Sequence, residues 1–451
     1  MKHLNRNLTS GRIGKQLVSL TWPMLFGMMG MVIFNLTDTF FLGRLGVKPL
    51  AAISFTFPVI MFLNGIGQGI GIGTSSLVSR NIITAERDHV RTIASSALLL
   101  GLLAVVVFVV AGMLTIRPLF SLLGASGDIL EYVHDYMSIW YVGVPFVVLP
   151  MVGNNVVRAA GDTFTPGMVM LTSAVINAVL DPLLIFGIGP FPEMGVKGAA
   201  LATVIARSVS MVIILIILFK REKIITLRPG SFKMIAGVWK KVLFIAGPAS
   251  LGLLITPLSL AVINRIVASY GKEAVAAFGV ASRVEMFALM VISSLGSVLI
   301  IFIGQNYSRH QFPRIFRALD HAFRFSLLWG GAVYLLLLFF GNTISSVFTN
   351  DPQVIAIARQ YFYIMGAGYG FQGLVMLSTS SYNGLNKPYP AVLFITVRTL
   401  GLFVPLAWAG SALLGLQGVM WAGLIANIFT GIAAYTNLRK VVGKLRDAAT
   451  S

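Results

Sequence analysis

The sequence predicts an all-α membrane protein: twelve transmembrane helices forming two pseudo-symmetric six-helix bundles. Three observations predict it. Of 451 residues, 57% are apolar and 11% charged, with a mean hydropathy of +0.86, more apolar side chain than a soluble domain this long can hide. Apolar runs of ~20 residues, each enough to cross the hydrocarbon core, recur along the whole chain. The second half also repeats landmarks of the first at a nearly constant offset.

The runs place spans at 17–43, 50–79, 92–116, 129–156, 164–187 and 195–219, then at 239–268, 274–304, 319–341, 353–382, 389–410 and 416–438. Several exceed what a bilayer needs, so tilt or kinks are expected. The first run is too long for the apolar core of a signal peptide and reads as a first span. Lys220 to Lys241 is the most charged stretch. The predicted division is an N-terminal lobe over 1–219, a cytoplasmic linker over 220–238 and a C-terminal lobe over 239–451.

A shift of 225 lays Pro23 on Pro248, Gly46 on Gly271, Ala51-Ala52 on Ala276-Ala277, Gly71 on Gly296 and Asn81 on Asn306. A shift of 224 lays Pro166 on Pro390, and one of 220 lays the stretch from Gly195 on that from Gly415. A shrinking offset is what loop deletions in a duplicated chain produce. An even number of spans per half gives both halves the same orientation. Parallel repeats of this kind build transporters with a site between the halves.

Lys and Arg set the orientation. With both termini inside, 24 of the 34 fall in inward segments or toward the inner ends of spans, and six in outward loops or at the outer ends of spans. The same distribution accounts for the net charge of +19 and pI near 10.4, since no basic stripe carries interleaved aromatics and no nucleic-acid module is visible. Cysteine is absent, which removes disulfides, thiolate metal sites and cysteine nucleophiles. The five His show no metal-ligand spacing, and no nucleophile elbow or acid–base triad appears, so no enzyme, metal or cofactor is expected. The glycines of "NGIGQGIGIG" from Asn64 lack a strand and a phosphate-loop Lys, and read as helix packing.

Two carboxylates lie inside spans, Asp38 and Asp181, each flanked by an amide one turn away, Asn35 and Asn177. A charge at membrane depth costs at least about 2.5–3.5 kcal/mol, so such groups face a polar cavity and carry an ion or proton. Asp38 lies six residues before Arg44 and Asp181 six before Gly187, each roughly 9 Å below its end of the span. Thr203, eight residues into span six, lies roughly 12 Å down. The alternative is a polar cluster that only pins helices. Pro23 and Pro248 early in the first span of each half read as kinks or hinges. Glu285 in span eight is a secondary candidate, while Arg283 snorkels outward.

The span-one stretch "LTWPMLFGMMGMVIFNLTDTFFLGRLG", with "RAAGDTFTP", "INAVLDP" and "GVKGAALATVIAR", resembles the multidrug and toxic compound extrusion (MATE) family, in its prokaryotic DinF-like branch. The resemblance implies ion coupling through Asp38 and Asp181, with Asn154, Asn177 and Thr203 around them and helix one bending at Pro23. The NorM-type branch uses acids in spans seven and ten. Here Ser250 to Val262 holds none and Gln372 stands near the span-ten position, which argues for coupling through the N-terminal half.

The expectation is a monomeric multidrug efflux antiporter in a bacterial inner membrane, both termini cytoplasmic, conferring antibiotic resistance. It exports cationic or amphipathic small molecules, driven by protons or alternatively sodium, by alternating access. The runner-up is a lipid-linked oligosaccharide flippase of the same superfamily. A transferase would need a catalytic loop that is absent, and a channel would not need repeated halves around a titratable site.

Overall fold

The computed structural model describes residues 7–226 and 229–450. Lys2, Arg6 and Arg228, counted among the inward charges, lie outside the described residues. Among these residues every regular element is helical. The first half runs α1 (Ile13–Arg44), α2 (Val47–Asn81), α3 (Arg87–Leu122), α4 (Gly127–Ala159), α5 (Phe164–Phe186) and α6 (Val196–Ile216), with a π-helical turn over Ile217–Arg221. The second runs α7 (Phe232–Ala268), α8 (Lys272–Ser308), α9 (Phe312–Ser346), α10 (Pro352–Met365), α11 (Tyr369–Gly384), α12 (Pro388–Thr396) and α13 (Val404–Thr450).

Ten helical stretches among the described residues are long and apolar enough to cross a membrane. The remaining two of the twelve spans are concealed by breaks and mergers. The span expected at 353–382 is interrupted by a 3-10 turn over Gly366–Gly368, separating α10 from α11. The last two run together from Pro388, passing a π-helical stretch (Val397–Phe403) and a break at Gly415, where φ is 62°. Large apolar side chains such as Leu114, Phe339 and Trp408 stand exposed on helix faces. In water such faces would be buried, and here they suit acyl chains.

Residues that build each helix end recur between the halves. Gly46 and Gly271, at φ 120° and 107°, precede α2 and α8, and Gly195 and Gly415, at φ 54° and 62°, precede the last span of each half. Only glycine enters such backbone without strain. Asn81 Nδ2 donates to the Leu77 carbonyl and Asn306 Nδ2 to the Phe302 carbonyl, 225 residues on.

By its contacts the chain forms two units. The first comprises Trp22–Ser250. Its core gathers Val148, Tyr141, Ile93 and Met137, and includes Ile224 and Ile225 from the stretch expected as a linker. That stretch is tied down by Arg87 Nη2 donating to the Glu222 carbonyl, Arg91 Nε to the Lys223 carbonyl and the Thr226 N–H to Ser95 Oγ. The unit boundary accordingly falls inside α7, between Ser250 and Leu251, because the early turns of α7 pack on α2. A Cβ on Gly73 would come within 2.6 Å of the Val242 carbonyl, so the glycine run serves close helix packing.

The second unit comprises Leu251 onward together with Leu8–Thr21. The Leu8 N–H donates to Gln305 Oε1, and Asn306 Nδ2 and Arg314 Nη2 donate to the Leu8 carbonyl. Arg314 also donates from Nη1 to the Gly11 carbonyl and from Nη2 to Gln16 Oε1. The opening turns of α1 thus cluster with the second unit and the rest of α1 with the first. Pro23 sits one residue past the changeover.

Candidate functional site

α1 leaves Pro23 against α5. A Cβ on Gly27 would stand 2.7 Å from Gly167 Cα, and one on Gly167 would stand 2.7 Å from the Pro23 carbonyl. Without side chains at these positions the two helices approach closely. Four turns further, Asp38 is half-buried on α1, while Asp181 and Asn177 on α5 are fully buried. Asn177 Nδ2 donates to Asp181 Oδ1 at 3.0 Å, the i, i+4 contact their spacing predicts. Asp38 and Asp181 lie close enough for their charges to interact.

Thr203 on α6 is buried. Four side-chain oxygens, Asp38 Oδ1, Asn177 Oδ1, Asp181 Oδ2 and Thr203 Oγ1, are buried with no hydrogen-bond partner. Buried polar atoms are nearly always paired, so unpaired oxygens on α1, α5 and α6 mark a place built for something else. Carboxylate, amide and hydroxyl oxygens suit a proton or a small monovalent cation. Among the described residues no three His, Asp or Glu side chains converge in a metal-like group.

Two expected members stand apart. Asn35 is exposed, its carbonyl accepts from Thr39 Oγ1, and no hydrogen bond joins it to Asp38 among the described residues. Three residues along a helix leave the two side chains about 60° apart, which turns Phe34, not Asn35, inward. Asn154 is buried with its own unpaired Oδ1, but lies five residues from the Ala159 end of α4, roughly 7 Å in by helix rise. Asp181 lies seventeen residues from the neighbouring end of α5, roughly 26 Å in. The structure therefore separates Asn154 from the carboxylate layer.

Two further residues belong to the site. Tyr136 on α4 is buried within electrostatic reach of both Asp38 and Asp181. Arg207, one turn beyond Thr203 on α6, interacts with Asp38, and its guanidinium carbon lies 4.4 Å from the centre of the Phe34 ring. The internal repeat carried a signal for Tyr136, since the shift of 225 lays it on Tyr361. Arg207 stands in the sequence as a charge inside span six, for which hydropathy alone gives no partner.

The secondary candidates do meet, in the second unit. Gln372 Nε2 on α11 donates to Glu285 Oε1 on α8 at 2.9 Å, and the Tyr361 hydroxyl on α10 donates to Glu285 Oε2 at 2.7 Å. Arg283 is exposed.

Comparison with known proteins agrees with this geometry. The FAD transporter of Shewanella oneidensis is 39% identical over 428 residues, 95% of each chain. The multidrug export protein MepA of Staphylococcus saprophyticus is 25% identical, covering 97% of this chain and 95% of that one. Among solved structures, the Vibrio cholerae MATE transporter VcmN in the bent form superposes with a TM-score of 0.91 at 30% identity, covering 96% and 98%. A MOP superfamily transporter from Pyrococcus furiosus superposes at 0.90 with 26% identity, covering 99% of each. The MatE family model matches twice, over residues 23–183 and 248–409, once per half of the repeat. With most of its length so matched, the chain belongs to the MATE family of multi-pass membrane transporters and is not an enzyme.

Proposed function

We propose that the chain is a proton-coupled antiporter that exports amphipathic small organic molecules across a bacterial inner membrane by alternating access, with both termini cytoplasmic. The observation that carries this reading is the set of unpaired buried oxygens around Asp38 and Asp181. Two carboxylates in a poorly solvated pocket repel, so one proton has a strong reason to bind there and sodium competes for the same oxygens. Substrate is taken up while the pair is ionised. Protonation after outward opening neutralises the pair, α1 bends at Pro23, and substrate is displaced. The 24 to 6 split of Lys and Arg supports the orientation.

Substrate efflux from proteoliposomes under imposed pH or sodium gradients tests the reading. A pH gradient should drive efflux, and Asp38→Asn and Asp181→Asn should each lower it by at least about tenfold, ~1.4 kcal/mol, at normal protein level. Uphill export by Asp38→Asn would remove the basis of the mechanism.

A finer reading of the substrate follows from the relatives. Identity to the Shewanella FAD transporter is 39%, against 24–27% for the multidrug exporters compared. A flavin nucleotide is therefore the first substrate to load, beside a lipophilic drug cation. Transport of the drug cation alone would favour the multidrug reading.

A further inference from the structure

The second unit encloses a cavity of about 210 Å³, far above the ~10–15 Å³ that one water occupies. Polar side chains on its wall come from five helices, among them Ser259 on α7, Glu285 on α8, Tyr361 on α10, Gln372 on α11 and Asn427 on α13. Arg398 joins them from the π-helical stretch Val397–Phe403, a backbone form frequent at functional sites. Phe278, Met286 and Leu289 supply an apolar side.

The polar groups form one directed relay. Arg398 Nη1 donates to Asn427 Oδ1 at 3.2 Å, and Asn427 Nδ2 to Gln372 Oε1 at 3.3 Å. Gln372 Nε2 and the Tyr361 hydroxyl then both donate to Glu285. A guanidinium can only donate and an ionised carboxylate only accept, so each amide is fixed in orientation. The relay therefore links a positive and a negative group on the wall of one cavity. Arg398 Nε and Ser259 Oγ, both on its wall, are buried with no hydrogen-bond partner among the described residues.

The internal repeat says where this cavity comes from. A shift of 225 carries Asp38 to Ile263 and Tyr136 to Tyr361, and a shift of 220 carries Thr203 to Gly423 and Arg207 to Asn427. All four second-half residues line the cavity. The cavity overlaps the duplicate of the carboxylate site, with Asp38 replaced by isoleucine and Thr203 by glycine, while the counterparts of Asn177 and Asp181 at a shift of 224, Gly401 and Pro405, are not on its wall. Glu285 and Arg398 enter from other positions, one charge of each sign.

We infer that this cavity is a second binding site, for an amphipathic zwitterion. The ligand places an amine toward Glu285, a carboxylate or similar anionic oxygen toward Arg398 Nε, and an aromatic body against Phe278, Met286 and Leu289. A simple organic cation fits poorly, because Arg398 opposes what Glu285 attracts. Binding at equilibrium needs no proton coupling, so this inference goes beyond the antiport reading and stands or falls separately.

The test is calorimetric binding to the full chain in lipid nanodiscs. The probes are norfloxacin, a carboxylate–amine zwitterion on an aromatic ring, its methyl ester (cation only) and its N-acetyl derivative (anion only). The zwitterion should bind at least about tenfold tighter than either derivative. Arg398→Gln and Glu285→Gln should each remove that advantage. Ser282→Trp, at an exposed position on the cavity wall, should block binding without touching the relay. Equal affinity for the ester, or unchanged affinity in Arg398→Gln or Glu285→Gln, would each overturn the inference. If the relay variants do not fold, Ser282→Trp decides, and retained zwitterion binding there overturns it.

Discussion

Asp38, Asn177, Asp181 and Thr203 each leave a buried oxygen unpaired, at a cost of about 1–3 kcal/mol apiece by the usual desolvation penalty. On the proposed antiport reading, four such atoms sacrifice stability for occupancy by an ion. Arg207 is the natural counterweight, lying on the Phe34 ring and within reach of Asp38. Arg207→Ala should lower pH-driven efflux by about tenfold at normal protein level, ~1.4 kcal/mol. Arg207→Lys should recover part of it, because lysine keeps the charge but not the planar stack. Full efflux by the Ala variant would reduce Arg207 to a packing residue.

At the scale of elements, two helix junctions depend on single residues. Asp162, two residues before α5, accepts from the Thr165 N–H and hydroxyl and is bridged by Arg221 from the end of the π-helical turn after α6. Burial pushes the Asp162 carboxyl up, but the bonds from Thr165 and Arg221 outweigh it and hold it below its ordinary 3.8. The stabilisation is therefore complete above that value and fades as pH falls through the lower folded one. Asp162→Ala should cost about 1.5–3 kcal/mol at neutral pH. Melting curves of variant and wild type should converge in acid, and a gap that stayed constant would dissociate the effect from ionisation. At the other junction, Gly415 breaks the long final helix at φ 62° and ψ −143°, a conformation nearly closed to L side chains. Gly415→Ala should lower stability by about 1–3 kcal/mol. Gly43→Ala, in regular helix with open space around it, should be near neutral in the same thermal assay.

For the whole molecule, the absence of cysteine makes every single-cysteine variant a clean reporter of sidedness. With the termini inside, Ser126→Cys, in the turn between α3 and α4, should react with a membrane-impermeant maleimide in intact cells. Ser231→Cys, ahead of α7, should react only after the membrane is opened. Both positions are exposed, so burial does not confound the reading. The reverse pattern would invert the charge-based orientation.

Helix number, duplication and the α5 pair Asn177–Asp181 were legible along the chain, because spans are set by local hydropathy and an i, i+4 contact by the pitch of one helix. The doubled family match over residues 23–183 and 248–409 follows the same periodicity. What lies across helices was not legible. Rotation of α1 turns Phe34 inward and leaves Asn35 exposed, helix rise puts Asn154 far from the carboxylate layer, and packing brings Tyr136 and Arg207 to it. Likewise the early turns of α7 join the first unit and the opening turns of α1 the second, which helix-by-helix hydropathy does not show. Linear sequence specifies the depth and helical face of a residue, but its neighbours on other helices depend on how small residues such as Gly27, Gly73 and Gly167 let backbones meet, and only the folded chain decides that.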